Sequence, residues 1–308
     1  MVVRVKLGTP LEQNRKMTRS ETFDPHHRPD CVRTVIYDFG SNNGDDLPYY
    51  LKKADLVVAV EANPVLCAQI TTRFAHEIAC GILVVVNSVL TTSDDDGDVP
   101  FFIHRTNHVL SQFPKPSDPT EFERVMLPAR SVERLIAMHG APHYVKIDIE
   151  RYDEQILRAL FAHNIRPPYI SAESHDIGVF ASLLVLGGYT AFKLVDGASV
   201  PRLYGRQRIR TRSGIEEYAF PTDSSGPFGE DIPTEWMTPN NFFQLLAQEG
   251  LGWKDVHATT EAEASATALP PFLPHATRQL KAHAVQAIKA ALPQPVLQAL
   301  KAARRRLT

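Results

Sequence analysis

Between Thr34 and Ser174 the apolar residues fall into short runs, and several of these runs end on an acid or an amide. Thr34-Val-Ile-Tyr-Asp38, Leu56 to Val60 before Glu61, and Ile82 to Val86 before Asn87 are β-rich and bounded by turn residues. That is the pattern of strands buried on both faces of a parallel sheet. The stretches between them are helical in character. Pro48 suits the first turn of a short helix over Asp45 to Lys53. Asn63 followed by Pro64 is a helix start, because the amide caps free N–H groups and proline needs none at the first position. Leu66, Ile70, Phe74 and Ile78 then recur every four residues and give that helix one apolar face. Strand, helix, strand, helix, strand predicts a parallel sheet with right-handed crossovers.

The pattern continues less regularly. Asp94 to Asp98 reads as a turn, Phe101 to Ile103 as an extra edge strand, and Thr106 to Pro119 as a Pro/Ser-rich loop. Ser131 caps a helix that ends at Gly140, followed by a strand over Tyr144 to Ile149 and a helix over Asp153 to Ile165. Pro168 to Ser174 is a further strand and Asp176 to Leu186 a helix. Ala191 to Val195 and Glu216 to Phe220 are expected to close the sheet, the last strand running antiparallel. The expected fold class is α/β, a mostly parallel doubly wound sheet with helices on both faces.

Composition narrows the function classes. A 308-residue chain with 44% hydrophobic and 22% charged residues can build a full-sized core. A net charge of −2 provides no global basic field, so no nucleic-acid partner is expected. Cys31, Cys67 and Cys80 are odd in number and form no CxxC pair, which points to buried, reduced thiols. No apolar run reaches about 18 residues, and the first residues lack an apolar signal core, so a cytoplasmic protein is expected. The expected organisation is an N-terminal arm over 1–30, a main domain over 31–222, a Gly/Pro/aromatic segment over 223–262 on the acceptor side, and a basic helical tail over 263–308. His26-His27 in the arm reads as a solvated loop pair. The tail has no acid after Glu263 and reads as a solvated extension of its own domain, with contact to an anionic membrane surface or a protein partner as the alternative.

The strongest chemical feature is Asp38-Phe-Gly40-Ser-Asn42-Asn-Gly44, set between a strand and a helix. Glycines let the backbone approach a ligand closely, and a helix start favours an anionic group. Glu61 ends the next strand about 20 residues on, where an acid accepts hydrogen bonds from ribose hydroxyls. The loop is not GxGxxG, the dinucleotide fingerprint.

Three segments together resemble the FkbM-type methyltransferases. They are Val35 to Asp45, Val58-Ala-Val-Glu61-Ala-Asn63-Pro64, and Val145-Lys146-Ile-Asp148-Ile-Glu150, within a stretch of roughly residues 34–196. The resemblance implies a Rossmann-like class I methyltransferase sheet and S-adenosylmethionine as cofactor. It implies methyl transfer, usually to a hydroxyl oxygen of a sugar, glycan or natural product. By the same resemblance Asp38, Gly40 and Gly44 line the methionine half of the cofactor, Glu61 holds its ribose and Asn87 lies near adenine, with Asn42 and Asn63 also expected at the cofactor. The chain departs from the family after Glu150: Arg151-Tyr152-Asp153 stands where a glycine usually opens the segment.

Asp148 and Glu150, closing the fourth strand, and Glu173 and His175, closing the fifth, are the expected acceptor-side residues. Ligands bind at that edge in open α/β sheets, and methylating an alcohol requires loss of a weakly acidic proton. If a divalent metal takes part, Asp148, Glu150 and Glu173 are its expected ligands. Two other readings stay open, a nicotinamide-dependent oxidoreductase and a non-catalytic binding protein on the same fold.

Overall fold

The structure, a computed structural model, describes residues 33–93 and 97–266. The chain begins this part with β1 (Val35–Phe39), α1 (Leu47–Leu51), β2 (Leu56–Val60), α2 (Pro64–Arg73), α3 (Ala75–Ala79) and β3 (Leu83–Val86). It continues with β4 (Val89–Thr91), β5 (Asp98–His104), β6 (Phe122–Ser131), α4 (Val132–His139), β7 (Pro142–Ile147) and α5 (Asp153–Ala162). There follow β8 (Tyr169–Ser174), α6 (Ile177–Ala181) with a π-helical turn over Ser182–Leu186, β9 (Ala191–Asp196) and α7 (Val200–Leu203). The hairpin β10 (Gln207–Thr211) and β11 (Gly214–Tyr218) precedes α8 (Pro239–Glu249) and β12 (Gly252–Thr259).

Seven strands form one sheet in the order β3-β2-β1-β7-β8-β12-β9. β3, β2, β1, β7 and β8 pair in parallel, and β12 runs antiparallel to both β8 and β9. This is an α/β fold with a mixed, mostly parallel seven-stranded sheet. Every residue of β1 and β2 is buried, Asp38 of β1 included, as expected of strands covered on both faces. Alternation along β1 divides the core. Val35, Tyr37 and Phe39 face one side with residues of α4, α5, α6 and α8, while Ile36 faces the other with α1 and α2.

The structure changes several expectations. Glu216 to Tyr218 belongs to the separate β10–β11 hairpin, and the antiparallel strand of the sheet is β12. The hairpin is largely solvent-facing, with Ile209 its one fully buried residue, and cannot fill a site with neighbours on both edges. In β12 the polar residues Asp255, His257 and Thr259 interrupt the apolar pattern, and all three are buried. Phe101 to Ile103 lies in a three-stranded sheet, β4-β6-β5, whose central strand β6 alternates exposed and buried positions. The helix with apolar residues every four positions breaks at Phe74 into α2 and α3. Cys67 is buried and free, but Cys80 is exposed, because it follows the short α3, in which no residue is fully buried. Cys31, His26, His27, the N-terminal arm and the tail from residue 267 lie outside the described residues. Among the described residues no helix is long and apolar enough to cross a membrane.

Candidate functional site

The order of the sheet reverses between β1 and β7, and the chain leaves both strands towards the same edge. A cavity of about 750 Å³ opens there, in the range of small-molecule sites. Its floor is the turn after β1. Gly40 (φ +85°) lies so near β7 that a Cβ would overlap the carbonyl oxygen of Asp148, so the close approach requires glycine. Gly40 N and Ser41 N both donate to the carbonyl of Val60, at 2.9 and 3.1 Å, and tie the turn to the end of β2.

Glu61 follows that strand end, and its side chain is fixed by the turn itself. Oε2 accepts from Asn42 N and Oε1 from Asn63 N, each at 2.7 Å. Asn42 adopts φ +47°, which an amide side chain tolerates better than most. Burial pushes the Glu61 carboxyl up to about 7, against the opposing pull of the two N–H donors. Asn63 caps α2 by accepting from Val65 N at 3.0 Å, and Asn87 donates to the carbonyls of Glu61 and Ala62 at 2.8 and 2.9 Å.

The expected cofactor residues therefore divide. Gly40, Asn42 and Glu61 line the cavity, whereas Asp38, Gly44, Asn63 and Asn87 stand behind it and hold the lining in place. The expected dipole contribution has no support, since α1 is only five residues long and acids Asp45 and Asp46 precede it.

Beneath the turn lies a buried charge cluster. Register sets Asp38 beside Lys146 on β7. Lys146 Nζ stands 3.5 Å from Asp38, 3.8 Å from Asp46 and 3.3 Å from Asp148, and donates to the carbonyl of Gly40 at 3.3 Å. Burial pulls the ammonium down, but the carboxylates of Asp148, Asp38, Asp46 and Asp255 outweigh it and hold Lys146 well above its ordinary value. Burial also raises Asp38, whose carboxylate accepts no hydrogen bond from the described residues. Asp46 is raised to about 6 by burial and accepts from the Ser224 hydroxyl and from Ser225 N.

All four acceptor-side residues reach the same cavity. β7 ends at Ile147, so Asp148 and Glu150 sit in the following turn, not in the strand. Arg151 takes φ +66° in the turn after Glu150, and pairs with Glu150 at 3.2 Å. Glu150 does not cap α5, which starts after Tyr152 with no side-chain cap. His175 Nε2 lies 2.7 Å from Glu173 Oε2 and 3.7 Å from Glu150 Oε2. The Glu173 contact raises His175, and burial raises Glu173. Among the described residues no group of three or more His, Cys, Asp or Glu side chains is arranged to hold a metal ion.

Sequence reasoning missed part of the lining. His108 to Phe113, beyond β5, forms one wall with Phe101, and Trp253 of β12 forms another. Asp153 and Asp255, buried behind the acids, are raised well above the usual carboxylate range by burial.

No protein-family profile matches the chain, and no curated protein matches its sequence. Among solved structures, a methyltransferase named FkbM from Methylobacillus flagellatus is 15% identical with a TM-score of 0.35, over 55% of this chain and 42% of that one. A SAM-dependent O-methyltransferase from Thermotoga maritima is 6% identical with a TM-score of 0.33, over 75% of this chain and 61% of that one. An amino pentose methyltransferase from Micromonospora echinaspora, solved with SAM, is 13% identical with a TM-score of 0.27, over 75% of this chain and 84% of that one. The chain thus spans less than two thirds of the first two. Similarities of this size speak to neither activity nor residue roles.

Proposed function

We propose that this chain is an S-adenosylmethionine-dependent methyltransferase acting on a hydroxyl of a small-molecule, sugar or glycan acceptor. The carrying observation is a single cavity at the reversal point of the sheet, floored by a glycine turn and edged by Glu61, with a surplus of carboxylates. Such a field suits a sulfonium cation and repels a pyrophosphate, which weighs against a nicotinamide dinucleotide.

The residues fit the cofactor. Gly40 and Asn42 would border its methionine half, and the lone pairs that Glu61 keeps beyond its two N–H contacts would receive ribose hydroxyls. Ser88, the lining residue next to Asn87 in the chain, would border adenine. When bound, the cofactor supplies an electrophilic methyl group. The protein's part is alignment and proton removal. Because Glu173 keeps His175 charged, a carboxylate receives the acceptor's proton and His175 orients Glu173 and Glu150.

The test is turnover by Asp148→Asn and Glu150→Gln on an acceptor found by screening hydroxylated sugars and phenols with methyl-labelled cofactor. Each variant is expected to lose about 10²-fold or more in rate while keeping S-adenosylhomocysteine affinity. Full activity in both would return these acids to a structural role, and loss on EDTA with recovery on Mg²⁺ would assign them to a metal.

A further inference from the structure

The acceptor side of the cavity holds a cluster of carboxyl groups. Asp148, Glu150 and Glu173 line it, and the buried Asp153 lies close enough to feel Asp148 and Glu173. Lys146 is shared among Asp38, Asp46 and Asp148. Arg151 is 74% exposed, so water screens most of its effect on Glu150. His175 is left as the one half-buried cation facing Glu150, Glu173 and Asp153.

Asp153 provides an independent observation. It is 1% exposed, both of its carboxylate oxygens lack a hydrogen-bond partner among the described residues, and the charges acting on it are Asp148, Glu173 and His175. Burial holds this carboxyl toward its neutral form, and a positive neighbour is what would stabilise its charged form. Aromatic rings line the same cavity. Phe113 meets Tyr152 edge to face at 5.2 Å, and Trp253 is 46% exposed in the lining. Carboxylates beside aromatic faces form a recognisable cation receptor.

We propose that the acceptor is cationic, carrying a protonated amine that docks among Glu150, Glu173 and Tyr152 beside the hydroxyl to be methylated. This rests on the transfer reading only in naming the guest an acceptor; the cation preference stands on the charges and rings. An ammonium there gives Asp153 a positive neighbour and offers its hydrogen bonds to Glu150 and Glu173. It also separates two duties. Amine capture belongs to Glu150 and Glu173, and proton removal to Asp148.

The experiment is calorimetric binding of two matched pairs to the full chain, with and without saturating S-adenosylhomocysteine. The pairs are glucosamine against N-acetylglucosamine, and tyramine against N-acetyltyramine. The protein is expected to bind the amine of at least one pair about tenfold more tightly, and Glu150→Gln to bring that ratio close to one. Unchanged S-adenosylhomocysteine affinity in the variant shows that its cavity is intact. Equal binding within both pairs, no amine binding at millimolar concentration, or a preference that survives Glu150→Gln would each overturn the proposal. So would Mg²⁺ occupying these carboxylates with no amine preference. A protein that prefers amines but does not bind S-adenosylhomocysteine would keep the cation site and reject the cofactor reading.

Discussion

At the scale of single residues, Glu61 ties the cavity to stability. Its carboxyl is raised to about 7 in the folded chain, against about 4.3 in an unfolded one. Between those values the folded state binds more protons, so this group's contribution to stability is present at low pH and lost as pH rises through about 7. The full effect is on the order of a few kcal/mol. Urea unfolding from pH 4 to 8 should therefore show a steeper loss of stability for the natural chain than for Glu61→Gln. Parallel curves would mean that burial does not perturb this carboxyl. Arg151 gives a second prediction. A left-handed backbone costs a non-glycine residue roughly 1–2 kcal/mol, partly offset by the greater freedom of glycine when unfolded. Arg151→Gly is expected to raise stability by up to about 1 kcal/mol in denaturant melts, and a destabilised variant would show that the pairing with Glu150 outweighs the strain. The residues legible in the sequence, Asp38, Gly40, Glu61 and Glu150, announce themselves by type and by position at a strand end. Lys146 was visible as a neighbour, but its three carboxylate partners come from β1, the turn before α1 and the turn after β7.

At the scale of elements, short apolar runs gave β1, β2, β3, β7 and β8 to within a few residues, because a strand covered on both faces has almost no polar positions. β12 escaped because buried polar residues, Asp255, His257 and Thr259, break its apolar run. Asp255 sits among the site's charges, and Thr259 donates to the Pro168 carbonyl at 2.7 Å. The segment before α8 escaped for a related reason, as its anchors are far off in sequence. Ser224 and Ser225 bond Asp46, and Asp231 accepts from Tyr49 at 2.8 Å, Lys53 at 2.6 Å and Arg210 N at 2.9 Å. These contacts hold residues 224–231 against α1, where Ser225 reaches the cavity. Removing one member of a buried ion pair leaves the other uncompensated and costs roughly 3–5 kcal/mol. Asp231→Ala is expected to lose about that much in urea unfolding. A loss within 0.5 kcal/mol, the range of ordinary surface substitutions, would mean that the segment does not depend on this anchor.

At the scale of the whole molecule, strand order brings distant parts of the sequence to one edge. The turn after β1, the end of β2, the turns after β7 and β8, and Trp253 of β12 meet around one cavity. Acids at successive strand ends made this edge foreseeable, because parallel strands deliver all their C-termini to one side. The wall from His108 to Phe113 was not foreseeable, since it hangs from a separate small sheet whose central strand β6 the periodicity does not mark. The most direct test of the account is calorimetric titration of S-adenosylhomocysteine into the natural chain and Glu61→Ala, with NAD as a competitor. The account predicts a dissociation constant between low micromolar and submillimolar, no displacement by NAD, and binding weaker by about 10- to 100-fold in the variant, the worth of a charged hydrogen-bond acceptor. No binding by the natural chain, or unchanged affinity in a folded Glu61→Ala protein, would contradict it.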